Sequence, residues 1–123
     1  MRMETKLRHI SISYLEKITE GDKEIAIKIL NLFIVQVGEN IENLLIALHD
    51  NNFQKIKFYA HKAKNDLNII GMDSLAEQMK ELEILAKKEL PSKRYAEIIS
   101  IYIKESQLAI DDINEYLNEN LNS

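Results

Sequence analysis

The stretch Phe53-Gln54-Lys55-Ile56-Lys57-Phe58-Tyr59-Ala60-His61-Lys62-Ala63-Lys64-Asn65-Asp66-Leu67-Asn68-Ile69-Ile70-Gly71 decides the fold. At the helical advance of about 100° per residue, Phe53, Ile56, Ala60, Ala63, Leu67 and Ile70 fall within one arc about 100° wide. This alternation of three- and four-residue steps is the seam of a helix packed on other helices. His61 points away from that seam. Around it on the helical net lie Lys57, Lys64, Asn65 and Asn68. Phe58 and Ile69 occupy the same outward half, which is unusual for apolar residues on a solvated face.

Outward from this helix, punctuation divides the chain into five helical segments. A short one is predicted from Ser11 to Thr19, with Ser11 or Ser13 as N-cap, Gly21 past its end, and Ile12, Leu15 and Ile18 as its apolar positions. A second runs from Asp22 to Leu48, with Ile25, Ile29, Leu32, Val37, Ile41, Leu44 and Leu48 as its buried stripe. Gly38 lies in its middle, at a cost of about 1 kcal/mol relative to alanine, and invites a kink. The third ends before Gly71. The fourth runs from Ser74 to Glu89 and stops before Pro91, with Leu75, Met79, Leu82 and Ala86 inward. The last, from Ser92 to Leu117, buries Tyr95, Ile99, Tyr102, Ile113 and Leu117. Short connections between long amphipathic helices predict an all-α, antiparallel up-down four-helix bundle with a short additional N-terminal helix. The expected organisation is a flexible N-terminus at 1–9, a single bundle domain at 10–118 and a frayed C-terminus at 119–123.

Composition agrees. The 123 residues include three glycines, one proline and no cysteine, too little turn chemistry for a β fold and none for disulfides or thiolate metal sites. Sixteen basic against twenty acidic side chains give a net charge of −4, a poor footprint for nucleic acid. No uninterrupted apolar run approaches the roughly 18 residues of a membrane span. The first eight residues lead into no signal-peptide core. The expectation is a cytoplasmic monomer, since four complete helices bury their core without a second chain.

An exposed histidine beside lysines suits transient phosphorylation. A neutral imidazole nitrogen is a competent nucleophile near neutral pH, and a lysine one turn away can hold phosphoryl oxygens by charge-assisted hydrogen bonds. Phosphoryl transfer asks a protein chiefly for positioning and charge stabilisation, so a partner can supply the rest. The plain alternative is a surface histidine without a role, on a face whose apolar residues another helix covers.

The segment Ala60-His61-Lys62-Ala63-Lys64-Asn65 through Ile70-Gly71 resembles the signature of histidine-containing phosphotransfer (HPt) domains, Ala-His-x-Leu-Lys-Gly with a second glycine ten residues past the histidine. His61, Lys64 and Gly71 match in type and spacing, and Ala60 precedes the histidine. Gly21-Asp22, Leu32-Phe33, Asp50-Asn51-Asn52-Phe53, Leu75 and Leu82-Glu83 extend the resemblance from about Ile12 to Lys88. It implies a phosphorelay carrier. His61 takes a phosphoryl group from an aspartyl phosphate on a receiver domain and passes it to a second receiver, while Lys64 stabilises the phosphoryl charge. Lys57, Phe58, Lys62, Asn65, Asn68 and Ile69 form the expected partner surface, and Gly71 is structural. Response-regulator receivers and a hybrid histidine kinase are the implied partners. No cofactor is expected on this chain, with Mg²⁺ on the receiver. Two residues depart from the pattern. Asn65 stands where the family has glycine, and Ala63 where it has leucine.

Other readings fare worse. A kinase's own phosphoacceptor helix has an acidic residue after the histidine, where this chain has Lys62, and no Gly-rich phosphate loop is present. His9, His49 and His61 lack a glutamate three residues before them, which argues against a metal-bundle enzyme. Asp111-Asp112 reads as solvated, and Tyr59, Tyr95, Tyr102 and Tyr116 as core or core-edge residues. The competitor from another class is a helical interaction module that binds receiver or kinase domains and is never phosphorylated.

Overall fold

The computed structural model describes Ile10 and residues 12–121. It contains α1 (Ile12–Thr19), α2 (Lys23–His49), α3 (Phe53–Ile69), α4 (Asp73–Lys87) and α5 (Arg94–Leu121), and no strand among the described residues. The expected flexible segment at 1–9, with His9, lies outside the described residues, as does Ser11. Ser13 lies inside α1 and so does not cap it.

Side chains start the helices where the chain turns. Asp22 Oδ1 accepts from the Ile25 amide at 3.2 Å, and Asn52 Oδ1 from the Lys55 amide at 3.0 Å. At the other ends one backbone device recurs. Glu20, Asn51, Gly71 and Glu89 adopt positive φ, and the next amide reaches back five residues: Gly21 to Glu16, Asn52 to Ala47, Met72 to Leu67 and Leu90 to Leu85, at 2.9 to 3.1 Å. With Gly21, at φ +78°, five described residues are left-handed and three of them are not glycine, which is how the chain turns four times with so few glycines.

α2 packs on α3 and α5, α4 packs on the same two helices, and α1 leans on α2. The four long helices thus close a ring around one core. Ile56, Ala60, Ala63, Leu67 and Ile70 of the α3 seam are all buried, with Phe53 at its edge. Leu75, Met79, Leu82 and Ala86 face the core as expected, as do Tyr95, Ile99, Tyr102, Ile113 and Leu117.

On α2 the predicted stripe is displaced. The buried row is Ala26, Leu30, Phe33, Val37, Asn40, Leu44 and Ala47, whereas Ile25 and Leu32 stand in solvent. Apolar residues surround this helix, so several stripes fit it, and the one chosen by the bundle includes two alanines and an asparagine. α2 runs unbroken through Gly38. It is long and apolar enough to cross a membrane by length and composition, yet Leu30, Phe33, Val37 and Leu44 lie in the bundle core.

Smaller differences have equally local causes. Ile18 is exposed, because α1 turns the row through Leu15 and Thr19 to the core; the side chain of Ile12 lies outside the described residues. Asp112 is buried and Asp111 exposed, so the pair is not a solvated face. α5 remains helical to Leu121, past the predicted end at Leu117. Residues 122–123 lie outside the described residues.

Candidate functional site

His61 sits mid-way along α3, on the face opposite the seam, with its side chain 53% exposed. Its Nδ1 lies 2.9 Å from Oε2 of Glu83 on α4. The other carboxylate oxygen, Oε1, accepts from Lys64 Nζ at 3.1 Å. One glutamate thus bridges the two residues singled out from the sequence. Burial alone would raise the Glu83 carboxyl, but the hydrogen bonds and charges of Lys64 and His61 outweigh it and hold the group below the usual carboxylate range. An ionised carboxylate only accepts, so Nδ1 is the donor in this contact and Nε2 is the ring nitrogen left free of it.

The surroundings differ on the two sides of α3. Toward α4, Gln54, Lys57, Phe58, His61 and Glu83 line one shallow open groove. Phe58 is 59% exposed, and its ring meets Tyr59 edge-on at 4.9 Å between centroids. Toward α2, Lys62 leans away from His61 and donates to Gln36 Oε1, with Glu39 4.0 Å from its ammonium. Ile69 is 49% exposed and lines a separate, apolar groove with Ile29, Leu32 and Phe33. Asn65 and Asn68 are exposed one and two turns past His61. The structure therefore gathers His61, Lys64, Lys57 and Phe58, and leaves Lys62 and Ile69 on a neighbouring surface.

Gly71 ends α3 at φ +80°, and a Cβ there would meet the Tyr14 ring at 3.0 Å. The glycine is doubly required, by the left-handed turn and by the close approach of α1. That contact ties the short N-terminal helix to the end of the histidine helix.

Two contacts were not assigned from the sequence, where Glu83 entered only as part of the Leu82-Glu83 resemblance. Glu83 is a helix-surface glutamate whose role exists only once α4 lies beside α3. Beneath the site, Asn40 Nδ2 donates to Asp66 Oδ2 at 3.2 Å and to Tyr102 Oη at 3.3 Å, a polar link across α2, α3 and α5. Burial pushes the Tyr102 phenol up to about 12. Burial also raises the Asp66 carboxyl, against the lowering effects of Asn40 and Lys62. Among the described residues no group of three histidine or carboxylate side chains could hold a metal ion.

A four-helix bundle with an outward imidazole, held by a carboxylate and flanked by a lysine, is an arrangement chemically suited to carrying a phosphoryl group on histidine. The model of the Hpt domain matches residues 28–117, and the chain belongs to that family. Among solved structures it is similar to histidine-containing phosphotransfer protein B (HptB) from Pseudomonas aeruginosa PAO1. The two share 23% identity and a TM-score of 0.78, over 90% of this chain and 96% of the other. No match was found among curated protein sequences. The chain accordingly acts in histidine phosphotransfer within a two-component phosphorelay, in which Hpt domains work with response-regulator receiver domains.

Proposed function

We propose that His61 is the phosphoacceptor and that its Nε2 is the reacting atom. The observation that carries this reading is the 2.9 Å contact from Glu83 to Nδ1, which supports it because a ring that donates from Nδ1 carries its lone pair on Nε2 when neutral. Nε2 attacks the phosphorus of an aspartyl phosphate on a docked receiver. The N–P bond forms as the P–O bond to the aspartate breaks, and its electron pair returns to the carboxylate. The Nδ1 proton stays in place, so the ring becomes a phospho-imidazolium facing the Glu83 carboxylate. Lys64 swings from Glu83 to the phosphoryl oxygens as their charge arrives. The reverse sequence delivers the group to a second receiver aspartate.

The protein is a stoichiometric carrier rather than a turnover enzyme. It binds no cofactor itself. The receiver brings Mg²⁺, which neutralises phosphoryl charge on its own side. Lys57 and Phe58, which share a groove with His61, and the exposed Asn65 and Asn68 farther along α3 form the docking surface, with Lys62 and Ile69 at its α2 edge. One cytoplasmic chain contains the complete acceptor, and a hybrid histidine kinase stands upstream. Gly71 serves the fold.

The test is incubation with a phosphorylated receiver domain. Label that is acid-labile and base-stable should appear on the wild-type chain and be absent from His61→Gln. Equal label on His61→Gln would assign the acceptor elsewhere. No transfer from any receiver would leave the non-phosphorylated interaction module as the better account.

A further inference from the structure

A second groove runs between α2 and α3, apart from the one that holds His61. Ile29, Leu32 and Phe33 of α2 and Ile69 of α3 wall it, with Gln36 and Asp66 at its polar end. Leu32 and Ile69 are 57% and 49% exposed, so the groove opens to solvent. It holds about 100 Å³, against the roughly 300–1,000 Å³ of a metabolite or cofactor pocket. One long side chain fills such a space.

Asp66 gives the groove its charge. The carboxyl is half-buried, and that burial raises it. Its Oδ2 accepts from Asn40 Nδ2 at 3.2 Å. Its Oδ1 has no hydrogen-bond partner among the described residues and is not sealed from outside. Lys62 is the cation whose charge bears on this group. Its ammonium, however, is bound to Gln36 and faces Glu39, and it forms no ion pair with Asp66. An open carboxylate oxygen at the end of an apolar trough suits a side chain with an aliphatic stem and a cationic head.

We propose that the α2–α3 groove receives a lysine or arginine side chain of the docked receiver domain, its stem along Leu32, Phe33 and Ile69 and its charged head on Asp66 Oδ1. The receiver as the source of that side chain rests on the phosphoacceptor reading of His61. Asp66 stands five residues past His61, about 7.5 Å along the axis of α3. A standard interface takes roughly 800 Å² from each partner, a patch about 16 Å in radius, so a receiver centred on His61 covers the mouth of the groove. Asp66 then acts in partner choice. A receiver with a basic side chain at that place is favoured, and one with an acidic residue there is repelled.

Asp66→Asn removes the charge and keeps an oxygen that accepts from Asn40, and circular dichroism checks that the variant remains helical. The probe is n-butylammonium, the lysine side chain without its backbone, titrated at constant ionic strength into the full chain with ¹³C-labelled methyl groups. It should shift the Leu32 and Ile69 methyls with a dissociation constant on the order of 10–100 mM. Binding to Asp66→Asn should be at least about fivefold weaker. Uncharged n-butanol should bind the wild type at least about fivefold more weakly than the cation and ignore the substitution. No shift at these methyls, or equal binding of the cation to both chains, would overturn the proposal. In single-turnover transfer from a phosphorylated receiver, Asp66→Asn should raise the half-saturating receiver concentration at least about threefold and leave the saturated rate within about twofold. Unchanged half-saturation would place the cation on another partner and overturn the receiver assignment. A wild type that no receiver phosphorylates would remove the His61 reading and the receiver with it, while the methyl titration still decides the cation site.

Discussion

Glu83 Oε2 lies 2.9 Å from His61 Nδ1, and its other oxygen holds Lys64 at 3.1 Å. One side chain on α4 therefore meets both the imidazole and the cation that the proposed transfer uses. Glu83→Ala should slow phosphoryl acceptance by about tenfold, the scale expected when an orienting hydrogen bond is lost. In two-bond ¹⁵N–¹H spectra the His61 ring should relax toward a mixture of tautomers. Glu83→Gln, which can still accept a bond, should recover much of the rate. An unchanged rate and unchanged tautomer in Glu83→Ala would make the contact incidental.

The same contact has a pH signature. The folded-state pKa of Glu83 is depressed, so its stabilising contribution is present above the ordinary carboxylate pKa and is lost as pH falls through the lowered value. Chemical denaturation of wild type and Glu83→Gln should differ near neutrality and converge in acid. A constant gap across that range would contradict the pairing.

Tyr102 works in the opposite direction. Its phenol is pushed up to about 12 by burial, so its contribution is complete below its unfolded pKa of about 10 and declines as pH rises toward the folded value. One such proton corresponds to about 1.4 kcal/mol of lost stability per pH unit over that window. Tyr102→Phe should flatten this alkaline limb. At neutral pH it should also cost about 1–3 kcal/mol, because Asn40 loses a buried partner.

Backbone conformation predicts two changes of opposite sign. Gly71→Ala meets both a φ of +80° and the Tyr14 ring at 3.0 Å, and should destabilise by about 1–3 kcal/mol. Glu89, at φ +51°, closes α4 in a conformation that favours glycine. Glu89→Gly should stabilise by about 0.5–1 kcal/mol. Thermal unfolding reads both.

The contrast between α3 and α2 explains what the sequence disclosed. On α3 the residues between Ile56, Ala60, Ala63 and Leu67 are polar apart from Phe58 and Tyr59, so one stripe stands out, and all four of its residues are buried. On α2 isoleucines, leucines and valine occur all round, and the packed row passes through Asn40, a residue that no hydropathy pattern selects for a core. Its burial becomes intelligible only when Asp66 and Tyr102, from two other helices, arrive to meet its amide. His61 and Lys64 were legible because their spacing along one helix is itself the signal. Glu83 was not, because its function depends on how α3 and α4 pack and not on its distance along the chain.

Asn65 is exposed one turn past His61, where the family pattern has glycine. Asn65→Gly should speed transfer by a few-fold if the amide crowds the docked receiver, at a helix cost of about 1 kcal/mol. A slower variant that remains folded would assign the amide a hydrogen bond to the phosphoryl group instead. Stopped-flow transfer from a phosphorylated receiver separates the two.

The most direct test is the position of the phosphoryl group on the ring. The chain, labelled with ¹⁵N in histidine and phosphorylated by a receiver domain, should show phosphorus coupling to Nε2 of His61, with Nδ1 protonated against Glu83. Coupling to Nδ1, or phosphate retained on a residue other than His61, would contradict the account.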